Sequence, residues 1–149
     1  MLYISVSIAG NCSETYDDKA MLITSPDDSF REIVCSWLIT VPKYKTINLR
    51  FINLNLEASV NCEISSFQVF DGPNSNSTSF GNRLCGSSLP DNIESTGNNL
   101  LLLFNKTSKS INENEFKIKL NEKGMHDYDE LDSRIKILNN YAALVNRNY

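Results

Sequence analysis

Apolar and polar residues alternate along most of the chain with the two-residue period of a strand that has one dry and one wet face. Cys35, Trp37, Ile39 and Val41 alternate with Ser36, Leu38 and Thr40 until Pro42 ends the run. One face of that strand carries a cysteine and the only tryptophan, as where a disulfide packs against an aromatic core. Ile47, Leu49 and Phe51 alternate with Asn48 and Arg50; the phase then slips by one at Ile52, Leu54 and Leu56, as a bulge or bend requires. Phe67 and Val69 lead into Asp71-Gly72-Pro73, a turn that Asp71 is expected to shape. Leu100 to Phe104 is a continuous apolar run, short enough for a strand buried on both faces. Phe116, Ile118 and Leu120 alternate with Lys117 and Lys119 in a half-exposed closing strand. Repeated short strands with turns between them predict an all-β sandwich.

The two ends differ from this pattern. Residues 121–130 are polar, hold the only histidine, His126, and read as a linker. Within 131–149, Leu131, Ile135, Leu138, Ala142 and Val145 recur at steps of four and three behind Asp132 as N-cap. That spacing predicts a short amphipathic C-terminal helix, folded back on the sandwich or frayed. At the other end, Met1 to Ala9 is apolar, and Ser7-Ile8-Ala9 has the small-x-small form that precedes a signal cleavage site. It lacks a positive start and is short, and Leu2, Ile4, Val6 and Ile8 also alternate as a strand would. Residues 1–11 therefore read as a strand or a truncated signal segment.

A chain of 149 residues with 41% hydrophobic positions is long enough for one domain with a sizeable core. No run reaches the roughly 18–20 apolar residues of a transmembrane helix. Net charge is −4, and the basic residues are scattered, which argues against nucleic acid as a partner. Cys12, Cys35, Cys62 and Cys85 form an even set without the close spacing of metal ligands, so disulfides and an oxidising compartment are expected, with three pairings open. Asn11-Cys12-Ser13, Asn76-Ser77-Thr78 and Asn105-Lys106-Thr107 fit the N-glycosylation sequon. Both signals place the chain in a secreted protein or on the extracellular side of a membrane protein.

In order, the chain presents Cys12, Ile23-Thr24-Ser25-Pro26, Cys35-Ser36-Trp37-Leu38-Ile39, Leu49-Arg50-Phe51 with Leu56-Glu57, Cys62, Phe67-Gln68-Val69-Phe70-Asp71-Gly72, Leu84-Cys85-Gly86, and the runs at Leu100–Phe104 and Glu115-Phe116. Joint order and spacing resemble the CUB domain, the extracellular module of complement proteases, tolloid-like metalloproteases, endocytic receptors and spermadhesins, over residues 12–120. The resemblance implies a CUB-type sandwich of two antiparallel sheets with Cys12–Cys35 and Cys62–Cys85 bridges. An immunoglobulin domain would need a longer span between its cysteines, with the tryptophan well after the first. The segment from Pro26 to Cys35 is shorter than the family's and lacks its Tyr-Pro.

Many CUB domains hold one calcium ion that orders the loops contacting a partner. Of the three acidic ligands the resemblance implies, only Glu57 is present; Ser65 and Thr107 occupy the other two positions. Calcium wants six to eight oxygens, several from carboxylates, so the site reads as degenerate, with Glu63 the only nearby substitute, and no cofactor is expected. No HExxH, GxSxG or Walker-type motif occurs, and His126 has no partner motif. The chain is expected to be a non-catalytic protein-interaction module, with an extracellular protein or a glycan as partner, within a larger chain. The alternatives are an accessory domain of an extracellular metalloprotease or receptor, or a stand-alone spermadhesin-like binder of carbohydrate or lipid.

Overall fold

The computed structural model describes residues 5–9, 12, 14–16, 20–27, 31–124 and 126–147. Among the described residues ten strands follow one another as β1 (Ser5–Ala9), β2 (Glu14–Tyr16), β3 (Met21–Thr24), β4 (Ile33–Thr40), β5 (Thr46–Asn55), β6 (Ser65–Asp71), β7 (Thr78–Ser79), β8 (Ile93–Glu94), β9 (Asn99–Lys106) and β10 (Glu115–Lys123), before helix α1 (His126–Arg147). They form two five-stranded sheets, ordered β1-β4-β9-β6-β7 and β2-β3-β10-β5-β8. Every pairing is antiparallel.

The two-residue period sends alternate side chains between the sheets. Cys35, Trp37 and Ile39 from β4, Ile47 and Leu49 from β5, Leu100 and Leu102 from β9, and Ile118 and Leu120 from β10 are fully buried there. An aromatic cluster lies at the centre. Phe67 of β6 stacks near Trp37 at 6.3 Å between ring centroids and meets Phe51 and Phe116 edge-on at 5.4 and 5.1 Å. Phe104 meets Phe116 at 4.9 Å. Both sheets contribute rings, so the cluster joins the layers; such pairs add about 0.5–1.5 kcal/mol beyond their burial.

The phase slip in β5 is a bulge. Lys117 faces Asn53 and Ile118 faces Phe51, leaving Ile52 as the inserted residue. Ile52 is exposed, and burial resumes at Leu54 and Leu56, so Ile52 itself does not join the inward row that the sequence assigned to it. The apolar run in β9 is buried on one face only: Leu100, Leu102 and Phe104 point inward, while Leu101 and Leu103 are half-buried on the outer face. Asp71 differs too. Its carboxylate accepts from the Thr96 amide (3.0 Å) and hydroxyl (2.8 Å), pinning the chain between β8 and β9. The turn after it is built by Asn74 and Ser77, with a Cβ at Gly72 excluded by the Ser77 side chain.

The C-terminal region also departs from the sequence pattern. β10 continues to Lys123 and α1 begins at His126, so strand and helix both reach into residues 121–130, and Asp132 lies inside the helix and is not its N-cap. Every described side chain from Arg134 to Arg147 is exposed, including Leu138, Tyr141 and Leu144, so this stretch does not fold back on the sandwich. Ending the chain after residue 124 is therefore expected to leave the thermal midpoint within about 2 °C of the full chain, because none of the side chains described beyond that point belongs to the core. A scanning-calorimetry comparison checks this; a large drop would place part of the core's support in the helix.

Candidate functional site

At one end of the sandwich three segments meet where β5 stops, where β6 starts and where β9 runs into β10. Leu56 and Gly86 exchange backbone hydrogen bonds of 2.9 Å in both directions, fixing the chain just before Glu57. Cys62 and Cys85 are bridged, Cα to Cα 5.6 Å, which ties the loop at 59–64 to the same segment. Cys12 and Cys35 are bridged likewise at 5.9 Å.

Glu57 is the hub of this end. One carboxylate oxygen accepts from the Ser110 hydroxyl (2.6 Å) and from the backbone N–H groups of Ile111 (2.9 Å) and Asn112 (3.4 Å). The other accepts from the Asn112 side-chain amide at 3.3 Å. Buried Asn114 completes the arrangement: its carbonyl oxygen accepts the Glu57 N–H (2.9 Å), and its amide donates to the Ser110 hydroxyl and the Asn112 carbonyl. Hydrogen bonding, from Ser110 first and then the loop amides, favours the ionised form and holds the Glu57 carboxyl below the usual glutamate value despite an opposing desolvation cost.

The loop at 59–64 is held by short contacts. Ser59 Oγ accepts the Ile64 N–H at 3.1 Å, and the Ile64 carbonyl accepts both the N–H and the hydroxyl of Thr107 at 2.9 Å each. Asn61 and Cys62 take left-handed φ values of 53° and 52°, unfavourable for residues with a Cβ and kept in place here by the disulfide and these bonds.

The three positions at which the resemblance implies calcium ligands therefore differ in kind. Glu57 faces four hydrogen-bond donors, the inverse of the oxygen cage a hard cation needs. Thr107 spends its hydroxyl on Ile64, Ser65 is buried between the sheets opposite Lys106 with no hydrogen-bond partner among the described residues, and Glu63 is exposed. Among the described residues no three His, Cys, Asp or Glu side chains form a metal-binding group. These residues do not fit calcium. Ser110, Asn112 and Asn114 were not singled out from the sequence. Their signal is the run Thr107-Ser108-Lys109-Ser110-Ile111-Asn112-Glu113-Asn114, dense in short hydrogen-bonding side chains just before a strand.

Of the sequons, Asn76 is exposed in the turn between β6 and β7 and Asn105 is exposed on the outer face of β9; Asn11 lies outside the described residues. No described helix is long and apolar enough to cross a membrane.

Comparison with known proteins agrees with this architecture. The family model for the CUB domain matches residues 12–120. Exoskeleton protein RP43 of Riftia pachyptila is 30% identical over 109 residues, 68% of this chain and 24% of that protein. Human cubilin is 30% identical over 102 residues, 66% of this chain and 3% of that protein. A solved structure of the CUB1-EGF-CUB2 region of human MASP-1/3 superposes with a TM-score of 0.53 at 22% identity, covering 87% of this chain and 44% of that one. The chain thus spans 24% or less of the length of these two relatives. With the matched segment covering most of the chain, it belongs to the CUB domain family, which is extracellular.

Proposed function

We propose that this chain is a non-catalytic recognition module of an extracellular protein, binding a protein partner through the loops at the Glu57 end. One observation carries the reading: Val60 and Ile111 are 80% and 87% exposed on loops that the sandwich holds in fixed shape. An apolar side chain kept in water on an ordered loop is a ready anchor, because binding it costs little ordering entropy. Between these loops lies a depression lined by Ser59, Val60, Glu63, Thr107 and Lys109, of about 360 Å³. A double Val60→Asp/Ile111→Asp variant is the test. A protein from the extracellular medium that is retained by the immobilised native chain should be lost by the variant, with the thermal midpoint unchanged. Equal retention by both would reject this end as the binding face.

A glycan at Asn76 would cover the β7 edge of the β1-β4-β9-β6-β7 sheet, and one at Asn105, two residues before Thr107, would flank the loop end and restrict the side from which a partner reaches it, while the outer face of the other sheet carries neither. The short share of its relatives that the chain spans supports a second reading, an accessory domain within a longer protein such as an extracellular protease or receptor.

The Glu57 geometry makes a prediction of its own. Millimolar calcium is expected to leave the thermal midpoint unchanged. Acid is expected to act instead. The folded carboxyl titrates below its ordinary value near 4.5, so its stabilisation is complete above that value and is lost as pH falls through the lower folded one. Protection of the Ile111 and Asn112 amides, taken relative to the intrinsic exchange rate at each pH, should fall over that acid window, and Glu57→Gln should remove that fall. A calcium-induced rise in the midpoint would sink the assignment.

A further inference from the structure

The outer face of the second sheet breaks a rule that the rest of the molecule keeps. In the pairing of β5 with β10, Arg50 stands directly opposite Lys119, and Asn48 opposite Asn121. Directly opposed residues in an antiparallel pair hold their Cβ atoms about 4.5–5.5 Å apart, where like charges destabilise the sheet. Two other cations at this sheet are matched, Lys45 with Glu122 and Lys123 with Glu94, each at 3.0 Å, while Lys117 stands exposed opposite the uncharged Asn53. Arg50 and Lys119 have no ion pair among the described residues. The acid in the same row of β10, Glu115, lies four residues from Lys119, about 13 Å along the strand.

These side chains line a polar depression. Asn48, Arg50, Asn92, Lys119 and Asn121 surround a volume of about 210 Å³, with Asn92 reaching in from the segment before β8. Among the described residues, none that lines it is acidic or aromatic. The side-chain amides of Asn48 and Asn92 make no hydrogen bond to the described chain.

The geometry points to a carboxylate-binding site for an acidic peptide segment of a protein partner. Two unmatched cations supply the charge, a guanidinium able to take a carboxylate through two parallel N–H groups and an ammonium opposite it. The free carboxamides supply donors and acceptors suited to the adjoining peptide groups. The volume suits one side chain, and the described lining offers no aromatic platform for a sugar to stack on. The like-charge pair is then a functional feature: it weakens the free sheet and is relieved when the carboxylate arrives. This site lies on a different face from the loops at Val60 and Ile111 and stands or falls independently of them.

The test uses the full 149-residue chain and a fluorescent hexaglutamate peptide, read by anisotropy at low and physiological salt, with hexalysine and 3′-sialyllactose as competitors. The native chain should bind hexaglutamate, more weakly as salt rises. Arg50→Gln/Lys119→Gln should weaken binding at least tenfold, while Lys43→Gln, exposed in the turn between β4 and β5, should leave it unchanged. Lys119→Gln alone should also raise the thermal midpoint of the free protein by about 1–3 °C at low salt, by removing the opposed charge. The proposal is overturned if hexaglutamate fails to bind, if the double variant binds it equally well, or if sialyllactose displaces it at lower concentration and so marks a glycan site.

Discussion

Phe67→Ala is expected to destabilise the fold by about 3–5 kcal/mol, a large fraction of the roughly 5–15 kcal/mol that holds a domain together. The ring is fully buried and touches Trp37 from its own sheet and Phe51 and Phe116 from the other. Its backbone also exchanges hydrogen bonds with Leu84, at 2.9 and 2.8 Å. Deleting it leaves a cavity between two sheets that hydrogen bonding keeps rigid, so the surroundings can collapse only partly. Trp37, the only tryptophan and fully buried, provides the readout: urea unfolding followed by its fluorescence should show an earlier midpoint and a red-shifted native baseline. Val34→Ala on the exposed outer face is the control and should stay within about 0.5 kcal/mol. A cost below about 1 kcal/mol for Phe67→Ala would mean that the aromatic cluster does not join the layers.

Removing the Cys62–Cys85 bridge with paired serines is expected to cost about 3 kcal/mol, from the loop-closure entropy of a 23-residue separation. The loss should be uneven. Asn61 and Cys62 lose the cross-link that helps hold their left-handed conformation, so the loop at 59–64 should open first. Because Thr107 binds the Ile64 carbonyl, the segment from Thr107 to Asn114 should follow. Hydrogen exchange mapped along the chain reads this order: fast exchange at 59–64 and 107–114, with β4 and β9 still protected. Uniform loosening of both sheets would show that the bridge supports the core and not the loop end.

The strand register was only partly legible in the sequence, and the physics explains which part. Alternation reports inside against outside, so β4, β6 and β10 and the phase slip in β5 could be read directly. It cannot report what lies across a strand. Leu101 and Leu103 look the same in sequence whether fully covered or half-open, and only the folded chain shows that both are half-buried. Arg50 and Lys119 were visible as outward residues, but their opposition depends on the Ile52 bulge setting the register. The Glu57 hub was half legible. Its family position could be read, whereas its donors come from a loop more than fifty residues away. For the helix, heptad spacing located the apolar seam but not the start, because the polar turns from His126 carry no apolar marker.

A loop fastened by an ion must be loaded, and it loosens wherever that ion is scarce. The fastening around Glu57 is made of hydroxyl and amide groups already present in the chain, so the loop's shape is expected to be complete when the chain folds, with no ion to wait for. Nor does mild acid undo it: the carboxylate that gathers the donors titrates below the ordinary glutamate value, so its bonds last until the surroundings are more acidic than a free glutamate would need, and a partner held at this end keeps the same surface through moderate changes of acidity.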